Sequence, residues 1–138
     1  MKIIGIAVRT TNQESKAAGD IGKLWEQFYS ENLLDKIPNK VSNDIYSIYT
    51  DYVSDYTEDY TTILGVAVSS LESIPEGMVG RDFPEAHFRE YLVEGEMPQA
   101  VVATWVDIWK HDKELKRKYT YDFELYQADA PVKIFIAI

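Results

Sequence analysis

The sequence contains no cysteine among its 138 residues, which excludes disulfide bonds, thiolate nucleophiles and cysteine-ligated metals. Histidine is nearly as scarce, since His87 and His111 are the only two and no spacing of further ligands around them suits a zinc site. GxSxG nucleophile elbows, glycine-rich phosphate loops and HExxH metal motifs are also missing. We therefore expect neither a metal nor a cofactor, and most common catalytic arrangements are excluded.

Basic residues and long apolar runs are in short supply as well. The chain has 14 Lys and Arg against 23 Asp and Glu, a net charge of −9, whereas a nucleic-acid surface needs clustered basic residues. No apolar stretch approaches the roughly 18 to 20 residues of a membrane span, and the N-terminal MKIIGIAVRT is too short in its apolar run for a signal peptide. These absences predict a cytoplasmic protein without direct nucleic-acid or membrane contact, whose acidic field favours cationic partners.

What is present is an alternation of strand-like and helix-like patterns. An apolar run at 2–9 predicts a first strand, and aromatic or β-branched runs at 44–52 and 60–68 predict two more. Between the first and second strands, apolar residues recur at the i, i+3, i+4, i+7 spacing of a buried helical stripe. The members of this stripe are Ile21, Leu24, Trp25 and Phe28.

The second half of the chain repeats this order after a Pro- and Gly-rich connection at 69–84. It contains predicted strands at 86–94, 119–126 and 132–138, with a helical stripe between the first two. That stripe consists of Val101, Trp105, Ile108 and Trp109. We therefore predict one α+β domain over 1–138, built from strand-helix-strand-strand units at about 1–70 and 85–138, with a largely antiparallel sheet. A cleft between two such halves is a common place for a ligand.

The stretch YTYDFELY near the C-terminus combines acids with aromatic residues. Read as a strand, it places Asp122, Glu124 and Tyr126 on one face. In one interpretation these acids are simply solvated, as polar residues on the outer face of a sheet usually are. In the other, a carboxylate is held among aromatic side chains and recognises a delocalised cation, which would neutralise it. The residues alone leave both interpretations open.

Four motifs in order give the sequence a resemblance to a known family. They are LWEQF in the first helix, IYSIYTDY in the following strand, TWVDIW in the second helix, and an FExY pattern at Phe123 to Tyr126. Together they resemble the GyrI-like small-molecule-binding domains, the effector-binding domains of AraC-type and multidrug-responsive transcription regulators. The chain looks like the free-standing members of this family, including proteins carried on mobile gene cassettes.

The resemblance implies a pseudo-symmetric sheet with two helices on one face and a ligand cleft between them. By the FExY motif, Glu124 is implied to be the buried acid that meets cationic, aromatic ligands, and Tyr126 its companion. The remaining candidate wall residues follow from the implied fold and not from a motif: Tyr49, Phe88, Tyr91 and Trp105. Asp122, which precedes the motif, is expected to lie in solvent at the outer end of its strand.

Three functions remain open at this level. The first is a module that binds cationic amphipathic or aromatic drug-like molecules. The second is a GyrI-like hydrolase of reactive electrophiles, because a buried glutamate with a raised pKa also suits general acid-base catalysis. The third is binding to a protein partner, either gyrase or a separate DNA-binding regulator. No helix-turn-helix segment remains once the 138 residues are assigned, so we expect no direct DNA binding by this chain.

Overall fold

A computed structural model describes residues 1–138 as seven β-strands and four α-helices, with one short 3-10 helix at Gln13–Ser15. This confirms the α+β class that the sequence predicted. In chain order the elements are β1 (Lys2–Thr11), α1 (Lys16–Ser30), α2 (Leu33–Lys36), β2 (Ile45–Thr50), β3 (Asp59–Ala67), β4 (Val79–Asp82), β5 (Phe88–Leu92), α3 (Gln99–Lys110), α4 (Asp112–Leu115), β6 (Tyr121–Tyr126) and β7 (Lys133–Ala137). No helix is long and apolar enough to cross a membrane.

The seven strands form one antiparallel sheet in the order β4-β1-β3-β2-β6-β7-β5. β2 and β6 form the central pair. Beside β2 lie β3 and then β1, and beside β6 lie β7 and then β5, so the strands of the two halves follow equivalent orders outward from the centre. Ser47 lies opposite Glu124 in this central pair. Two strand-helix-strand-strand halves around a pseudo-two-fold axis would give this order, although the division of the chain into repeats stays a prediction.

Both long helices cover the same face of the sheet. Residues paired across an antiparallel ladder share a face, and one such row runs across the sheet through Ser47 and Glu124. The row consists of Ile6, Leu64, Ser47, Glu124, Ile134 and Tyr91. The stripe of α1 packs on the Ile6 and Leu64 side, whereas α3 packs on the Ile134 side. Glu124 therefore lies on the helix-covered face, in the part of the sheet between the two helices.

The opposite face of the sheet is concave. The chain passes from β4 at one edge to β5 at the other through residues 83–87 alone. Six steps between flat strands would separate the edges by roughly 29 Å, at about 4.8 Å per step. Six Cα–Cα steps from Asp82 to Phe88 reach at most about 23 Å. The sheet must therefore curl until its edges approach each other across this face.

A pair of glycines lies on the concave face, where two neighbouring strands approach closely. Gly5 of β1 lies directly opposite Gly65 of β3. A Cβ atom on Gly5 would lie 2.1 Å from the carbonyl oxygen of Leu64, and one on Gly65 would lie 2.2 Å from that of Ile4. No side chain fits at such distances, so only glycine permits this close approach of the two backbones. On the same face of the sheet, Phe83 from the 83–87 connection packs into an apolar cluster with Phe123.

Several predicted boundaries differ from the structure. A fourth strand, β4, lies within the segment predicted to be a connection. It was not predicted because a four-residue edge strand containing Gly80 has no strand-like pattern. The strand predicted to start at residue 119 begins at Tyr121, since Tyr119 has φ +56° and cannot join a ladder. The predicted strand 86–94 shortens to 88–92, and α1 begins five residues before the apolar stripe.

Candidate functional site

Glu124 is a buried carboxylate surrounded by neutral hydrogen-bond donors. It is 4% exposed, although it sits in the middle of the helix-covered face. The Tyr49 hydroxyl and the Trp105 indole N–H donate to Oε2 at 2.8 and 2.6 Å, and the Tyr126 hydroxyl donates to Oε1 at 2.5 Å. None of the ion pairs in the structure includes Glu124. Its charge is therefore met by dipoles and not by a cation.

Burial dominates the protonation of this site. Removal from water raises the pKa of Glu124 above the ordinary range of a glutamate, and the bonds from Tyr126, Trp105 and Tyr49 offset this only in part. Burial also raises the pKa of Tyr49 and of Tyr126, helped in both cases by the nearby Glu124. Both phenols therefore stay protonated and remain donors, and the carboxyl group is more easily protonated than one in water.

Two tryptophans, one from each long helix, pack edge-on against the tyrosines that hold Glu124. Trp105 of α3 meets Tyr49 with ring centroids 5.4 Å apart, and Trp25 of α1 meets Tyr126 with centroids 4.8 Å apart. We call Trp25, Tyr49, Trp105 and Tyr126 the aromatic cover of Glu124. Only Trp105 of the two tryptophans donates a hydrogen bond to the carboxylate. The sequence predicted Trp25 only as part of a buried helical stripe, although its place in the first of two repeated helices, as Trp105 lies in the second, was a signal that it belongs to the site.

Asp122 contradicts its predicted solvation, because it is completely buried. Its carboxylate accepts hydrogen bonds from Arg117 Nη2 at 2.8 Å, the Tyr52 hydroxyl at 2.6 Å and the Ala137 backbone N–H at 2.9 Å. The central strand β6 is covered at this point, and the cation comes from the loop between α4 and β6. An arginine in a loop gives no sequence signal of burial, which is why this pair was missed.

The structure brings four of the six predicted site residues together and leaves two apart. Glu124, Tyr126, Tyr49 and Trp105 contact one another, as described above. Tyr91 shares their face of the sheet but lies on the edge strand β5, where it lines a separate cavity of about 230 Å³ with Arg89 and His111. Phe88 lies on the concave face, packs against Phe123 and borders an apolar cavity of about 300 Å³.

No group of three His, Asp or Glu side chains is arranged to hold a metal ion. His87 is exposed beside β5, and His111 is exposed at the end of α3, where its Nδ1 lies 2.9 Å from the Asp107 carbonyl oxygen. The chemistry available at the site is therefore that of one buried carboxyl group and its aromatic neighbours.

The raised pKa of Glu124 predicts a specific pH dependence of stability. The folded state binds a proton at Glu124 more tightly than the unfolded state, so the free energy of unfolding should fall as pH rises from about 4.3 through the folded-state pKa. The loss amounts to about 1.4 kcal/mol for each unit by which the pKa is raised. Glu124→Gln removes this contribution, and urea denaturation of both proteins between pH 4 and pH 8 measures the difference. Parallel pH profiles would contradict the assignment.

The fold and this site together define a class of protein. A curved antiparallel sheet with two helices on one face is the arrangement of the GyrI-like small-molecule-binding domains, and the acid of the FExY motif lies between those helices, as the resemblance implied. Within that class, residues 1–138 match the Cass2 family of integron-associated effector binding proteins over their whole length, and the chain belongs to that family.

Two relatives are similar to the chain over nearly its whole length, and a third protein shares its fold. An integron cassette protein from the mobile metagenome of Vibrio cholerae, VCH_CASS2, is 31% identical, with 99% of this chain and 89% of that chain covered and a TM-score of 0.81. YobU of Bacillus subtilis (strain 168), named as a candidate transcriptional regulator, is 25% identical over 99% of this chain and 91% of its own length. SAV2435, solved bound to tetraphenylphosphonium, is 15% identical with a TM-score of 0.80 over 99% of this chain and 87% of that chain. At that identity the last likeness shows the fold alone.

Proposed function

We propose that this chain binds a cationic aromatic small molecule and that Glu124 is the counterion of the ligand. The observation that carries the proposal is a buried carboxylate with three neutral donors and no cationic partner. An ionised carboxylate without a counterion is costly in such a place, and a bound cation would remove that cost. The carboxylate is already buried before the ligand arrives, so pairing it with the bound cation contributes favourably to the binding free energy.

The surroundings of Glu124 favour a delocalised organic cation over a small inorganic one. Four aromatic side chains form its cover, and the faces of Trp and Tyr rings attract cations by about 0.5 to 2 kcal/mol each, depending on how dry the site is. A lipophilic cation is weakly hydrated, so it loses little on leaving water, and its apolar surface gains from burial. A sodium or potassium ion has neither advantage.

Ligand entry requires the aromatic cover to move. Glu124 is 4% exposed, so a drug-sized molecule reaches it only if a side chain above it changes position. Trp25 and Trp105 are the members contributed by helices, and both are only partly buried. If Trp105 moves, its indole N–H leaves Glu124, and the ligand's charge takes the place of that hydrogen bond. Binding should therefore change tryptophan fluorescence.

Membership of an effector-binding family supports the proposal, and the tetraphenylphosphonium complex of SAV2435 suggests the probe. We expect tetraphenylphosphonium to change the tryptophan fluorescence of this protein in a saturable way. Triphenylphosphine oxide, which is aromatic but uncharged, should bind at least about tenfold more weakly because it gains nothing from Glu124. Trp105→Phe identifies how much of the signal belongs to that residue. Equal affinity for the two compounds would exclude recognition of the cationic charge.

The raised pKa of Glu124 also supports a second candidate, hydrolysis of a reactive electrophile. A carboxylate of raised pKa is a better general base, and it could remove a proton from water as the water attacks an electrophilic carbon. This activity requires space for a water molecule beside Glu124 when substrate is bound. Turnover of an activated ester or epoxide by the parent protein, lost in Glu124→Gln, would establish it. Saturable cation binding without turnover of any such compound would favour the binding module.

A further inference from the structure

A second buried carboxylate on the same strand already holds a cation. The Arg117 side chain is only 1% exposed, and its guanidinium bridges Asp122 at 2.8 Å and Asp112 at 3.2 Å. The Cζ atom of Arg117 lies over the ring of Tyr119, 4.2 Å from the ring centroid, and 6.0 Å from the centroid of the Trp105 ring. We call Asp112, Asp122, Tyr52, Tyr119 and Trp105 the Arg117 cage.

The Arg117 cage and the Glu124 site are built from similar groups. Each has a buried acid on the helix-covered face of β6, a tyrosine hydroxyl that donates to that acid, and aromatic rings around it. Trp105 belongs to both, since its N–H donates to Glu124 while its ring faces Arg117. They differ in two respects: the cage has a second carboxylate, Asp112, and Asp122 has a cation whereas Glu124 has none. The fold thus contains two carboxylate-aromatic sites, one of which is filled by the chain itself.

We propose that Arg117 is a resident cation that fills a second cation site built around Asp122 and keeps external cations out of it. The two Nη nitrogens of Arg117 contact the carboxylates, whereas its buried Nε has no hydrogen-bond partner. The cage therefore recognises the outer end of a planar guanidinium, which a free small guanidinium also presents. Arg117 acts as a specificity-determining residue because its side chain occupies the place where such a molecule would bind. This inference does not depend on what binds at Glu124.

Arg117→Ala tests the inference by emptying the cage. We expect the variant to lose thermal stability, and methylguanidinium to restore part of it in a saturable way. The expected rise in midpoint is roughly 2–5 °C beyond that given by sodium chloride of equal concentration. Concentrations on the order of 10 mM suffice for the test, because the denaturing effect of guanidinium compounds grows with molar concentration and is negligible there. If Arg117→Ala folds poorly, its refolding yield from urea with and without methylguanidinium is the readout.

Three controls assign any rescue to the cage. The double variant Arg117→Ala, Asp122→Asn lacks the acid and should show no rescue. Arg81→Ala, which removes an arginine from an exposed pair with Asp51, should also show none. Rescue should persist when Glu124→Gln is added to Arg117→Ala, because the Glu124 site is not the one refilled. Failure of methylguanidinium to stabilise or refold Arg117→Ala, or equal rescue with Asp122→Asn present, would overturn the proposal.

Discussion

Replacing Glu124 with Gln is expected to weaken tetraphenylphosphonium binding by about 30-fold to several thousand-fold. This range corresponds to about 2 to 5 kcal/mol, the usual effect of removing one partner from a buried charge pair. Gln has nearly the same shape as Glu, so the apolar contacts of the ligand survive and the loss reports the charge. The fold should remain intact, because Gln can still accept hydrogen bonds from neighbours such as Trp105. Isothermal titration gives both affinities.

A matched control separates the local charge of Glu124 from the overall field of the protein. Glu94→Gln makes the same change in net charge at an exposed position in the loop before α3. Because exposed charges are screened within about 10 Å at 0.1 M salt, this variant should bind the ligand with nearly parent affinity. Equal weakening in Glu94→Gln and Glu124→Gln would mean that the acidic field, and not the buried carboxylate, attracts the cation.

Asp122→Asn is expected to lower the free energy of unfolding by about 3 to 5 kcal/mol, a large part of the stability of a domain this size. The substitution leaves the buried Arg117 guanidinium without the carboxylate that lies 2.8 Å away. Arg117 does not lose its proton to relieve this, because a guanidinium stays charged at neutral pH even without its carboxylate partner. Urea denaturation at pH 7 measures the loss.

The exposed ion pair between Arg81 and Asp51 provides the comparison. It has similar N–O distances, 2.9 and 3.1 Å, but both side chains are in contact with water. Asp51→Asn should therefore cost no more than about 1 kcal/mol, and Asn tolerates the left-handed backbone at this position. A loss of the same size in Asp51→Asn and Asp122→Asn would show that burial does not strengthen the dependence of the fold on Arg117.

Much of the fold could be predicted because its helices and strands have clear apolar periods. The stripes through Phe28 and Ile108 predicted α1 and α3, and the doubled order of elements predicted the α+β class, which is confirmed. The short strand β4 was missed because edge strands need little apolar sequence. The curl of the sheet was also beyond prediction, since it follows from the strand order, which places β4 and β5 at opposite edges although only residues 83–87 join them.

The candidate site was predictable where a motif fixed a residue and less so where the fold had to place it. Glu124 and Tyr126 came from the FExY pattern, and both lie in one hydrogen-bonded group with Tyr49 and Trp105. Phe88 was placed by analogy and lies on the opposite face, because the register of β5 against β7 decides its direction. Their roles in ligand binding stay proposals.

Asp122 was predicted wrongly for a related reason. A strand with a period of two shows which residues share a face, but it does not show whether that face is covered. Asp122 and Glu124 share a face, so both are buried once α3 and the 111–120 segment pack over them. The partner that makes burial of Asp122 tolerable, Arg117, lies outside any regular element. Only the three-dimensional structure brings the two together.

The most direct test of the central claim is a crystal structure of this protein with tetraphenylphosphonium. The account predicts the phosphorus atom beside the Glu124 carboxylate, with phenyl groups against Trp25, Tyr126 or Trp105 and the phosphorus within about 6 Å of at least one ring centroid. Trp25 or Trp105 should have moved from its position in the closed site. A ligand bound instead in the cavity beside Phe88 or the one beside Tyr91, with Glu124 still covered, would contradict the account.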